Sequence, residues 1–331
     1  MQTILNYPKM KKTILLSTFI LLLWMPAKAQ QDAQFSQYMF NGIYINPAYA
    51  GYREQLNLHA FYRNQWTGIE GSPKTLSVAV DAIANQGNVG LALQVSDDRL
   101  GAQRNAAVYG NYAYRIRMNE DGSSRLAFGL GLGVVQLGID GSILNPNNPE
   151  ALQPQGTQSV FAPDARAGVF YSNDRFYAGF SADNLLSQFK NLADFTLIPQ
   201  PKPHYYLTAG MLLPLGTNIS VKPSFLLKDD RGGPTSLDLN AFVIFADKIW
   251  LGGSYRTGVK LYDKSYLQND LSQLNSAVAA AQFFPNQNLR IGYAYDMSIG
   301  PLQGYSGGTH EISIGYFFNR RDIRIMTPRY F

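Results

Sequence analysis

Few residues in this chain have types and spacings that could do chemistry, and each group reads more simply as structure. His59, His204 and His310 are its only imidazoles, and they lie too far apart in sequence to suggest metal-ligand spacing. They leave open a Ser-His ester hydrolase of the barrel type, although no serine stands out in a strained nucleophile turn. Gly129, Gly131 and Gly133 form a Gly-x-Gly-x-Gly run. A dinucleotide loop would need that run at a strand-to-helix turn. Here it falls at period two inside a strand pattern, so it reads as a bare lumenal face that lets another backbone approach. Asp97-Asp98-Arg99-Leu100-Gly101 lacks the ligand spacing of a helical calcium loop and reads as a charged inter-strand loop. Arg63, Arg115, Arg117, Arg125, Arg166 and Arg256 fall on or near strands, mostly on polar faces, with Asp81, Asp183 and Asp238 as partners. They predict lumenal ion pairs, with an anion-selective channel as the competing reading. There is no cysteine, which excludes a disulfide scaffold, a thiolate metal site and a lipid-modified N-terminal Cys. The residues by themselves single out no catalytic, cofactor or metal site.

The elements that carry these residues are short alternating runs. Leu126, Phe128, Leu130, Leu132 and Val134 alternate with Arg125, Ala127, Gly129, Gly131 and Gly133. Ile219, Val221, Phe225 and Leu227 follow the same rhythm, as do Ile312, Ile314, Tyr316 and Phe318. Strand side chains point to opposite faces at period two, so each run builds one apolar and one polar face. The pattern predicts fourteen strands, at about 54–65, 74–84, 87–96, 104–118, 124–138, 163–172, 175–183, 204–214, 217–228, 235–246, 248–257, 275–284, 288–298 and 308–318. Closing them into a transmembrane antiparallel β-barrel leaves no backbone group unpaired in hydrocarbon. Tyr (21) and Phe (19) dominate the aromatics, as two interfacial girdles require, and only 15% of residues are charged.

Residues 1–29 read as a cleaved signal peptide. Lys9, Lys11 and Lys12 precede the apolar Thr13–Met25, and Ala27-Lys28-Ala29 is a small-residue cleavage site. That core is shorter than the ~20 residues a membrane helix needs. Lys9, Lys11, Lys12 and Lys28 are four of the 28 basic residues and no acid lies with them, leaving 24 bases against 23 acids. A net charge of +1 gives no support for nucleic-acid binding.

The connections alternate in length. Asn85–Gly87, Asn173-Asp174, Leu215-Gly216 and Asp247 are short, whereas Ile139–Ala162, Asn184–Pro203 and Val259–Asn275 are long. Short periplasmic turns and long outer loops are the habit of outer-membrane barrels. The domain reading is a signal peptide at 1–29, an N-terminal segment at 30–53 and the barrel at 54–331, ending in a short tail.

Three linked motifs stand at the N-terminal side: Gln37-Tyr38-Met39-Phe40-Asn41, Asn46-Pro47-Ala48-Tyr49-Ala50-Gly51, and Arg63-Asn64-Gln65-Trp66-Thr67-Gly68-Ile69-Glu70-Gly71-Ser72-Pro73. With the ending Pro328-Arg329-Tyr330-Phe331, they resemble the PorP/SprF family. Its members are outer-membrane proteins of the type IX secretion system and gliding machinery of Bacteroidota. The resemblance implies a non-enzymatic barrel with one of two kinds of partner. One is the system's periplasmic ring or peptidoglycan-binding proteins. The other is a large secreted adhesin that the barrel helps export or hold at the surface. A porin or apolar-solute channel is the alternative.

The segment Phe35–Gly51 is too aromatic for a free tail and too irregular for a lipid-facing strand. Irregular backbone survives at membrane depth only where protein or water surrounds it. It should fold into the periplasmic mouth or the lumen, with Tyr38, Phe40 and Tyr49 inward and the glycine face of 129, 131 and 133 making room. Arg63, Gln65 and Trp66 should pin it to the first strand. The family-motif residues, and so the candidate plug and partner residues, are Gln37, Tyr38, Phe40, Asn41, Asn46, Pro47, Tyr49, Gly51, Arg63, Gln65, Trp66, Gly71 and Pro73.

Overall fold

The computed structural model describes residues 35–143, 156–190, 198, 200–231, 233–264, 275–299 and 303–318. The proposed signal peptide and the tail 319–331 lie outside them. The strands are β1 (Leu56–Asn64), β2 (Lys74–Ala84), β3 (Val89–Leu100), β4 (Gln103–Arg117), β5 (Arg125–Asp140), β6 (Thr157–Ser172), β7 (Phe176–Asp183) and β8 (His204–Met211). They continue with β9 (Leu213–Pro214), β10 (Ile219–Asp230), β11 (Thr235–Phe245), β12 (Ile249–Val259), β13 (Asn275–Phe283), β14 (Leu289–Ile299) and β15 (Thr309–Phe318). Consecutive strands pair antiparallel, except that β8 and the short β9 both pair with β10, and β1 pairs with β15, from Leu56↔Phe318 to Asn64↔His310. The two-residue β9 extends the edge that β8 offers to β10, so the wall is a closed ring of fourteen staves.

Sequence dictates the break between β8 and β9. Pro223 has no N–H to donate across the ladder. Pairing with β10 stops at Gly210↔Ser224 and resumes at Leu213↔Val221. Between them Leu212 turns inward, fully buried, and its N–H donates to the Arg175 carbonyl at 2.7 Å.

The alternation is inverted relative to a water-soluble sheet. On β5, Leu130 is 51% exposed and Leu132 58%, while Ala127 between the outward residues is 5% exposed. The outward side chains of neighbouring staves continue this belt, as at Leu91, Val78 and Ile314. Outward rings sit near both ends: Tyr114 opposite Phe128, with Tyr316 and Phe318, toward one, and Tyr62 and Tyr255 toward the other. An apolar belt flanked by rings is the lipid-facing surface of a membrane barrel.

The chain leaves β1, β3, β5, β7, β10, β12 and β14 at one end of the barrel. This is the long-loop end; the turns at 85–88, 173–175, 215–218 and 246–248 define the short-turn end. Two boundaries depart from expectation. β6 begins at Thr157 rather than residue 163, and β3 runs on through Leu100. Asp97–Leu100 is therefore strand and not loop, paired with Ala106 to Gln103 of β4, and Asp97 binds Arg99 at 3.0 Å and Arg104 at 2.6 Å.

Candidate functional site

Among the described residues, the N-terminal segment occupies the lumen. Residues 36–53, except Gly42, are buried in the lumen, packed as three 3-10 turns at Tyr38–Phe40, Gly42–Tyr44 and Pro47–Tyr49. Local chemistry sets this shape. Asn41 Oδ1 accepts the Ile43 N–H at 3.3 Å, and Asn46 Oδ1 accepts the Ala48 N–H at 2.8 Å. An Asn cap followed by Pro at the first position is a start signal for a helical turn. Gly51 follows with φ +69°, a left-handed conformation that side chains disfavour.

The segment then packs on the wall through two aromatic clusters. Phe40 meets Phe242 at 5.4 Å and Trp250 at 5.5 Å between centroids, and Tyr38 and Met39 share that cluster. Tyr44 stands edge-on to Phe61 at 4.8 Å, while Tyr49 and Tyr52 pack on Phe170. Such pairs add roughly 0.5–1.5 kcal/mol each beyond the area they bury.

Polar groups fix the register. Glu311 accepts the N–H groups of both Ser36 and Gln37 at 2.9 Å, and its carbonyl accepts Gln37 Nε2 at 3.0 Å. Ser313 Oγ donates to Gln37 Oε1 at 2.7 Å. Arg63 reaches Ser36 Oγ at 2.6 Å, Glu311 at 3.0 Å and Asp296 at 3.2 Å. Asn46 Nδ2 donates to the Val169 and Phe180 carbonyls at 3.1 and 3.3 Å. Arg166 donates to the Tyr44 carbonyl at 3.1 Å, and Ser181 to that of Ile45. At the short-turn end Glu54 binds Arg115 at 2.9 Å and Arg125 at 3.0 Å.

Of the lumenal glycines, Gly129 takes the segment itself. A Cβ there would collide with the Ala48 and Pro47 backbone. Gly131 instead makes room for Arg166 and Asn111, and Gly133 for Tyr109. Gly90 performs the same service for the Ala50 carbonyl, a role its sequence context did not signal.

The motif residues divide between two places. Gln37, Tyr38, Phe40, Asn41, Asn46, Pro47, Tyr49 and Gly51 lie in the lumen, where Arg63 meets them. Gln65, Trp66, Gly71 and Pro73 lie in the β1–β2 connection at the long-loop end. There the Gln65 N–H donates to the Pro73 carbonyl at 2.9 Å, Trp66 to Thr309 Oγ1 at 3.2 Å, and Gly101 to the Gly71 carbonyl at 2.8 Å. Arg63 therefore holds the segment, whereas Gln65 and Trp66 stitch loops together.

The ion pairs are partly as expected: Arg166–Asp183 at 3.1 Å and Arg256–Asp238 at 2.8 Å. Asp81 binds Asn57 instead, at 2.8 Å. Glu311 and Asp296 escaped sequence reading. Their signal was a carboxylate at an inward position of an otherwise ordinary stave. The histidines stay apart: His59 meets Tyr44 at 3.1 Å, His204 meets Asp230 at 3.1 Å and His310 meets Tyr293 at 2.7 Å. Among the described residues no cluster has metal-binding composition.

A closed antiparallel ring with an apolar belt and a polar, filled interior defines a membrane β-barrel protein with an internal plug. The chain belongs to the family described as type IX secretion system membrane protein PorP/SprF, whose profile matches residues 27–316. It is thus an outer-membrane component of that system. Among solved structures it is similar to the Acinetobacter baumannii outer membrane protein Omp33, at 7% identity and TM-score 0.46, covering 80% of this chain and 98% of that one. It is also similar to a Pseudomonas aeruginosa FadL homologue, at 11% identity and TM-score 0.45, covering 88% and 96%. Neither likeness bears on function. No curated protein matches the chain.

Proposed function

We propose that this chain is a sealed, non-enzymatic barrel serving type IX secretion as a docking and anchoring component. It would support export or retention of a secreted surface protein, or link the outer membrane to periplasmic ring components. The observation carrying this reading is the filled lumen: a segment held by Glu311, Arg63, Asn46 and Glu54 leaves little for solutes to pass through. What remains for function is the two rims and the loops.

Conductance in planar bilayers tests the seal. The native protein should pass little current, and deletion of residues 34–48 should produce large, steady openings and admit small antibiotics while the barrel still inserts. A large steady current from the native protein would favour the porin. Secretion tests the role: a strain lacking the chain should lose surface display of a type IX cargo, and normal display would sink the anchoring idea.

A further inference from the structure

The lumen holds a second, different charged region near the short-turn end. Lys222 is the fourth residue of β10, Arg290 the second of β14, and Arg53 immediately precedes the approach to β1. They are 3%, 0% and 1% exposed. Arg53 and Arg290 both donate to the Phe40 carbonyl, and both lie over the Phe317 ring, at 5.2 and 5.5 Å. Nε and Nη1 of Arg53 and Nε and Nη2 of Arg290 have no hydrogen-bond acceptor. Lys222 Nζ has only ring faces, Trp250 at 5.1 Å and Tyr177 at 5.7 Å. Among the described residues none of the three cations meets a carboxylate at ion-pair distance. Lys222 feels the fields of Arg53 and Arg290, and Asp81 is an acid near enough to feel both guanidiniums. Three buried cations against one acid is an arrangement that desolvation makes costly without a counter-charge.

Space for a counter-charge lies beside Lys222. A cavity of about 30 Å³ lies beside it, lined by apolar Met39, Ile45 and Phe170 as well as by tyrosines, Asn46, Thr208 and Lys222. That volume holds on the order of two waters, room for a monatomic ion. The free edge of Arg290 is covered by the backbone of Gly315, so the opening is on the lysine side. Its lining is mostly apolar, and Lys222 is the one charged group on it. Tyr38 Oη accepts the Asn240 amide at 2.6 Å, which frees its own proton to donate elsewhere. Tyr49 supplies another hydroxyl.

We propose that this cavity binds a halide, chloride in the cell, on Lys222 Nζ with the Tyr38 and Tyr49 hydroxyls, clamping the N-terminal segment against β7, β8 and β10. The ion would touch segment and wall together, so its binding and the seating of the segment are linked. The site stands apart from the secretion role: a sealed barrel without it, or a halide site in a conducting barrel, would each be recognised.

Crystals of the full mature protein grown in sodium bromide should show an anomalous peak within hydrogen-bonding distance of Lys222 Nζ. The melting temperature should rise saturably with bromide or chloride over gluconate at matched ionic strength, and Lys222→Met should abolish that rise. Tyr49→Phe should weaken it several-fold. An ordered water in place of bromide, or a native melting temperature indifferent to halide, would overturn the proposal. The bromide peak is read on the native chain, so a Lys222→Met variant that fails to fold does not blunt the test.

Discussion

Two charged regions of one lumen solve the same problem in opposite ways. Toward the long-loop end, Arg63 and Arg256 are shared among Asp238, Asp296 and Glu311 at 2.8–3.6 Å. The surplus acceptor capacity there is used by the segment's own backbone, through Ser36 and Gln37. Toward the short-turn end, Arg53, Arg290 and Lys222 rest on a carbonyl and on aromatic faces. Cation–π contact at desolvated sites is worth about 2 kcal/mol, and a carboxylate at hydrogen-bond distance gives more. In the first region each cation meets carboxylates, and the group acts as a clasp. In the second none does, and that difference is what the proposed halide would offset.

The contrast is broken hardest at Glu311. Glu311→Leu removes the acceptor for two backbone N–H groups and leaves Arg63 with less charge than it needs. Breaking a buried pair from one side costs about 3–5 kcal/mol, which denaturant titration of the barrel in lipid should show, together with proteolysis of the released segment. Little change would mean that Asp296 alone holds the clasp.

The next effect separates lumen from lipid. Leu130→Arg places a charge in the outer belt and should cost ~2–4 kcal/mol near the midplane. Ala127→Arg would be mild in a roomy lumen, but Ala127 is packed in the same cluster as Tyr49 and Phe170. It should instead expel the segment, and folding with protease resistance intact would show that the interior is looser than described.

Lys222→Met then sharpens the comparison from the other side. A buried cation with no counter-charge carries its desolvation cost unrelieved, so an apolar isostere should be neutral or stabilising. In halide-free buffer the variant should melt at or above the native protein; a large loss would reveal a carboxylate partner. The smallest effect is topological and leaves energy untouched. A tag at residue 147 should be reachable on intact cells and one at residue 173 should not; the reverse would exchange the clasp and the cationic region between the two faces of the membrane.

Much of the wall was legible because lipid on one side and polar side chains on the other enforce period two. The exceptions are physical. Pro163 hides the start of β6, yet it is tolerated there because β6 has a strand neighbour on only one side until Ala167. The charges of Asp97 to Arg99 disguise the outer end of β3, which emerges beyond the apolar belt where alternation is no longer needed. For the segment, aromatic content and Asn-Pro signals foretold burial and turns. They did not foretell which staves it would touch. Gln37 meets Glu311 274 residues later, a pairing set by ring closure and by no local pattern.

That distance has a consequence for how the molecule is made. The ladder between β1 and β15 completes a ring of hydrogen bonds around residues that come first in the chain. Phe35–Glu54 lies inside that ring, and its first residues are bound by the last stave of the wall. That stave carries Glu311, so the act of zipping the seam is also the act of fastening what it encloses. Closure is a long-range, entropically expensive event and therefore the slow one. The two ends of the wall are thus joined twice, once by the ladder and once through the segment.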